Sequence, residues 1–181
     1  MNNNLINKKI NKYTLSALFL ALALILPFLS GQLREVGKVL LLMHYPIYLC
    51  GFICGSFLGF IVGLIAPILR SFIFGMPILF PNAIAMSIEL AVYGFTCGFL
   101  YDKLDRYNMN RYLSIYLSLI FAMIIGRIVW IMVDYILLGI TNSKLTFSYF
   151  IFTSFVEGLP GIIIQLIVIP ILVIFFNKNH L

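Results

Sequence analysis

The sequence predicts an all-α integral membrane protein, a compact bundle of six transmembrane helices with both termini in the cytoplasm. Three observations carry this reading. Of the 181 residues, 62% are hydrophobic and only 10% are charged, against about 25% charged in ordinary soluble domains. Apolar runs of about 17–25 residues recur along the chain, so residues 1–181 are expected to form a single transmembrane domain without a soluble one. Basic residues crowd the ends and one central loop, as they do where loops stay on the cytoplasmic face. The net charge of +6 therefore reports orientation, and nothing resembles a nucleic-acid-binding stripe.

Lys8, Lys9 and Lys12 precede an apolar run in the manner of a secretory signal. No small-x-small cleavage site closes that run and further spans follow, so it reads as a retained first helix over residues 13–28, behind a cytoplasmic tail of residues 1–12. Ala17 and Ala21 lie four apart, flanked by Ser16 and Ala23. Small residues at this spacing let a second helix approach closely, either from the same bundle or from another protein. Residues 30–42, with Gln32, Arg34, Glu35 and Lys38, read as a long first loop.

Residues 39–69 hold 31 positions without a formal charge apart from the titratable His44. As one helix they would measure about 46 Å, too long for one crossing of a core about 30 Å thick and short for two. Gly51, Gly55, Gly59 and Gly63 recur at four-residue spacing, as a glycine face or around a turn at Gly55-Ser56. Charge separates the two. With six spans, Lys8, Lys9, Lys12, Lys103, Arg106, Arg111 and Lys178 share one side and Arg34, Lys38 and Lys144 the other; with five, the usual bias inverts. The predicted helices are then 46–55, 57–74, 80–101, 112–138 and 147–176, with a cytoplasmic loop at 102–111, an outer return at 139–146 and a cytoplasmic tail at 177–181. Pro160 and Pro170 are expected to bend the last helix.

Five ionisable residues fall inside the spans: Arg70, Glu89, Arg127, Asp134 and Glu157. A charge near the bilayer centre costs roughly 2.5–3.5 kcal/mol, so it normally faces a partner, a cavity or a substrate path. Counted from the outer helix ends, Glu89, Arg127 and Glu157 share one level roughly 14–17 Å deep, and Arg70 and Asp134 lie shallower. Helical spacing aligns Arg127, Trp130 and Asp134 on one face, Asn82, Met86, Glu89 and Tyr93 on another, and Ser154, Glu157, Gly161 and Gln165 on a third. Three helices each bring ionised or polar groups together, two of them with an aromatic ring, which suits a pocket for a flat, polar small molecule. The same residues also fit a salt-bridge network, Glu89 and Glu157 on Arg127, that locks the bundle.

Other chemistries lack their residues. GxxxxGK, HExxH and GxSxG are absent, and His44 and His180 read as isolated from the charged cluster, which argues against a hydrolase; no cofactor is implied. Cys50, Cys54 and Cys97 lack the spacing of a metal or disulfide framework and read as packing residues, so no metal ligand is assigned. A stand-alone secondary carrier or channel remains as an alternative. Such carriers commonly show two related halves, and helices 1–3 and 4–6 show no convincing similarity.

Taken together, the size, the six-helix basic pattern, the Ala17-x-x-x-Ala21 pair, the long first loop and the segments MHYPIYLCGFICGSFLGFIVGLIAPILRS and GMPILFPNAIAMSIELAVYGFTCGFLYDKL resemble the substrate-binding S components of energy-coupling factor transporters, a vitamin-uptake branch of the ATP-binding cassette machinery. The resemblance implies a multi-pass protein of the bacterial plasma membrane that binds a vitamin or related micronutrient near the outer surface and is not an enzyme. It implies a transmembrane coupling subunit and two ATPase subunits as partners, with Ala17 and Ala21 docking on the coupling subunit, and rotation of the S component in the bilayer. It also raises the pocket reading of Glu89, Arg127, Trp130 and Glu157; Arg70, Asn82, Tyr93 and Asp134 complete the expected substrate-binding set. The charge balance favours a neutral, zwitterionic or cationic ligand, and Trp130 and Tyr93 suit an aromatic ring or a cation.

Overall fold

The computed structural model describes residues 3–30, 40–140 and 158–179. Among these residues the chain forms six α-helices and no strand: α1 (Asn3–Ile25), α2 (His44–Cys54), α3 (Ser56–Phe74), α4 (Ile84–Arg106), α5 (Arg111–Ile140) and α6 (Leu159–Asn179). Five stretches are long and apolar enough to cross a membrane: Ile10–Leu29, Ser56–Phe74, Leu79–Arg106, Arg111–Leu138 and Leu159–Phe176. The other predicted span, α2, has 11 residues, about 16 Å at 1.5 Å per residue, roughly half the hydrocarbon thickness.

Gly55 separates α2 from α3 with φ 103° and ψ 167°, a conformation that favours glycine. Contacts with α4 fix the direction of each arm. On α2, the rings of His44 and Tyr48 lie 5.5 and 5.0 Å from that of Tyr93, and Phe52 lies 5.4 Å from Tyr101, so α2 runs parallel to α4. On α3 the order is reversed: Ser56 abuts Gly98, Gly59 abuts Gly94, and Gly63 abuts the main chain of Leu90. The chain therefore turns back at Gly55, the two-helix reading of the glycine series. The crossing admits no side chain, because a Cβ on Gly59 would stand 2.7 Å from the Gly94 carbonyl oxygen and 2.8 Å from the Gly51 Cα.

α1 lies parallel to α3, with Leu24 opposite Arg70 and Phe28 opposite Phe74. Phe19, Ile47, Tyr48, Leu90, Ile115, Leu119 and Ile169 form the buried core. The outer surface is apolar as well, with Phe57, Phe72, Phe121, Ile128 and Phe175 exposed, a pattern suited to hydrocarbon surroundings rather than water.

Several boundaries differ from those predicted. α1 begins ten residues before position 13, and α4 continues from 101 to Arg106, narrowing the predicted loop at 102–111 to residues 107–110. Lys and Arg are good helix formers, so these helices run past their apolar stretches. Pro160, expected to bend the last helix, sits in the first turn of α6, where its missing N–H leaves no helical bond unmade. Pro170 lies within α6 and is buried. Glu157 and Ser154, like the loop residues Arg34, Lys38 and Lys144, lie outside the described residues.

Candidate functional site

α4 starts from a wide turn, Leu79–Ala83, in which the Ala83 N–H donates to the Ile78 carbonyl at 2.9 Å. Glu89 follows five residues into α4. Measured from the short α4–α5 connection, Glu89 stands 17 residues up α4 from Arg106 and Arg127 stands 16 residues up α5 from Arg111, both about 25 Å along their helices. Two antiparallel helices joined by a tight loop thus bring an acid and a base to one height.

They meet. Arg127 Nη1 is 3.4 Å from Glu89 Oε1, and the Tyr93 hydroxyl donates to the same oxygen at 2.8 Å. The other carboxylate oxygen, Oε2, is 3.9 Å from His44 Nε2. Tyr48 closes the cluster against the Tyr93 ring. Glu89 and His44 are each 2% exposed and Arg127 is 7% exposed, so the cluster is enclosed by protein. Desolvating an ion pair is costly, and the pair repays that cost only when its remaining hydrogen-bonding capacity is met. Here it is not: both ring nitrogens of His44, Arg127 Nε and Asp134 Oδ1 have no hydrogen-bond partner among the described residues.

Of the residues expected at the site, Glu89, Tyr93 and Arg127 come together directly. Trp130, half-buried, and Asp134, buried, continue the inward stripe of α5 beyond Arg127. Asn82 is exposed in the turn that opens α4. Arg70 is buried elsewhere: it donates to the Leu24 carbonyl and stacks on Phe28 at 4.9 Å and Phe74 at 5.4 Å. Leu24 lies in the last turn of α1, so Arg70 pins the end of α1 to α3. Ala17 and Ala21 are both exposed on α1, beside the exposed Tyr13, Leu18 and Ile25, while Ser16, Phe19 and Ala23 face the core.

His44 corrects the sequence reading, which set it apart from the charges. The α2–α3 hairpin lays α2 along α4, and the four-residue step His44 to Tyr48 falls beside the matching step Glu89 to Tyr93. That shared spacing was the available signal for His44 and Tyr48. Cys50, Cys54 and Cys97 are buried and free, and the described residues hold no group of three or more metal-ligating side chains.

A helical bundle that keeps an ion pair within apolar, membrane-length helices defines a multi-pass membrane protein with an enclosed polar centre. The family model for the ECF transporter, substrate-specific component, matches residues 11–173, and the chain belongs to that family. It is thus a substrate-specific transport component, not an enzyme, and membership implies association with membrane coupling and ATPase subunits in the bilayer. No curated relative and no solved structure matches the chain.

Proposed function

We propose that the chain binds a vitamin or related micronutrient at the outer face of the bacterial plasma membrane and passes it to an ATP-driven module made of one transmembrane coupling subunit and two ATPases. The observation that carries this reading is the family match over a chain whose buried cluster retains unspent donors and acceptors. Glu89, Tyr93, Arg127, Trp130 and Asp134 are the proposed ligand contacts, with Asn82 at the rim; Glu157, outside the described residues, is added from its sequence spacing to Gly161 and Gln165 alone. His44 belongs with them. Arg70, already engaged by Leu24, Phe28 and Phe74, serves the site by holding this end of the bundle together. The proposed topology has six membrane segments, α2 being the short one, and both ends in the cytoplasm, supported by the basic bias of the loops.

Mass spectrometry of small molecules that copurify with the protein, followed by titration of each into ligand-free protein, tests this reading. A compound that raises the melting temperature supports it. Absence of any copurifying compound, together with no thermal shift across the water-soluble vitamins, rules it out.

The exposed Ala17 and Ala21 stripe is the proposed docking face for the coupling subunit, since small side chains allow close helix approach. Ala17→Leu is expected to leave ligand affinity of the isolated protein unchanged and to reduce uptake into vesicles holding the whole transporter to background. Normal uptake in that variant would place docking elsewhere.

A further inference from the structure

Two charged side chains on one stripe of α5 keep an unpartnered atom among the described residues: Arg127 through Nε and Asp134, 9% exposed, through Oδ1. Seven residues separate them, about 10 Å along the helix, and Trp130 lies between them on the same face. Their surroundings differ in charge. At Arg127 the carboxylate of Glu89, 3.4 Å away, balances the guanidinium, and the His44 ring stands alongside with Nε2 3.9 Å from the other carboxylate oxygen. That end presents hydrogen-bond donors without net charge. Asp134 makes no ion pair among the described residues, so its end presents a carboxyl acceptor with no basic partner.

From this asymmetry we infer that the ligand lies along α5 as a flat amino-substituted heteroaromatic, its neutral acceptor turned inward to Arg127 and His44, its ring against Trp130 and its amino group turned outward to Asp134. The inference rests on the ligand-binding reading above. A carboxylate at the inner end would meet Glu89, and a dianion would meet an acid at both ends. Discrimination is strong at such a site, because a ligand lacking the matching group leaves a buried polar atom unpaired.

Three matched pairs of probes test the orientation: pyridoxamine and pyridoxine, 4-amino-5-hydroxymethyl-2-methylpyrimidine and its 4-hydroxy analogue, and pterin and lumazine. Each pair exchanges an amine for an oxygen. Equilibrium titration of the wild-type protein is expected to show one pair binding, with the amine at least about tenfold tighter, the scale of one hydrogen bond to a charged group. Asp134→Asn should shrink that preference to about twofold or less, whereas Arg127→Lys, which keeps the charge and loses Nε, should weaken both members alike by about tenfold. The wild-type preference needs no variant to fold.

Equal wild-type affinity within the binding pair, or a preference that survives Asp134→Asn, overturns the orientation. Failure of all six probes beside a copurifying compound without an amino group overturns the ligand class and leaves the transport reading standing. Failure of all six with nothing copurifying removes both.

Discussion

Arg127→Met is expected to abolish ligand binding and to destabilise the folded bundle by about 3–5 kcal/mol, the usual cost of leaving one partner of a buried ion pair alone. Methionine keeps the length and the apolar stem, so the loss is one of charge and donors rather than volume. Glu89 would then retain only the Tyr93 hydroxyl on Oε1 and the more distant His44 ring. Glu89→Gln alone strands the guanidinium and should cost a similar amount. The double variant Arg127→Met, Glu89→Gln removes both charges and should recover most of the stability. Unfolding midpoints in detergent micelles read the stability, and ligand titration reads the site. Here the two readings of the ion pair part company, because a structural lock predicts that the double variant binds ligand normally, whereas a ligand site predicts that binding stays lost.

Gly59→Leu is the second large effect. Its side chain would be driven at the Gly94 carbonyl oxygen and the Gly51 Cα, neither of which is the movable tip of a side chain. Overpacking of this kind costs about 3 kcal/mol and forces helices apart. Phe57→Leu, two residues earlier on the exposed face of α3, should stay within about 0.5 kcal/mol. A thermal unfolding series over both variants checks the difference. Equal melting temperatures would mean that α3 and α4 do not meet where Gly59 and Gly94 place them.

Much of this architecture is legible in the sequence. Charge counting favours a reversal within the glycine series, and α2 and α3 do turn back on one another at Gly55. Helical periodicity and equal depth also paired Glu89 with Arg127 and placed Tyr93 beside them. What periodicity does not supply is the rotation of one helix against its neighbours. Arg70 illustrates this: its charge within an apolar span suggests a place at the site, while its azimuth on α3 sends it to Leu24, Phe28 and Phe74. His44 shows the converse. Forty-five positions separate it from Glu89, and only the parallel arrangement of α2 and α4 joins them. Helix ends were missed for a simpler reason, since apolar length marks the hydrocarbon boundary and a helix stops where its caps and propensities tell it to.

The glycine crossing has a mechanical corollary. Where main chain rests on main chain there is no layer of side chains to shear, so α3 cannot slide past α4 by a fraction of a turn without colliding with the next carbonyl. The α2–α3–α4 unit must travel as one piece. Any displacement of that unit is therefore borne by its lipid-facing surface, not by slippage inside the bundle.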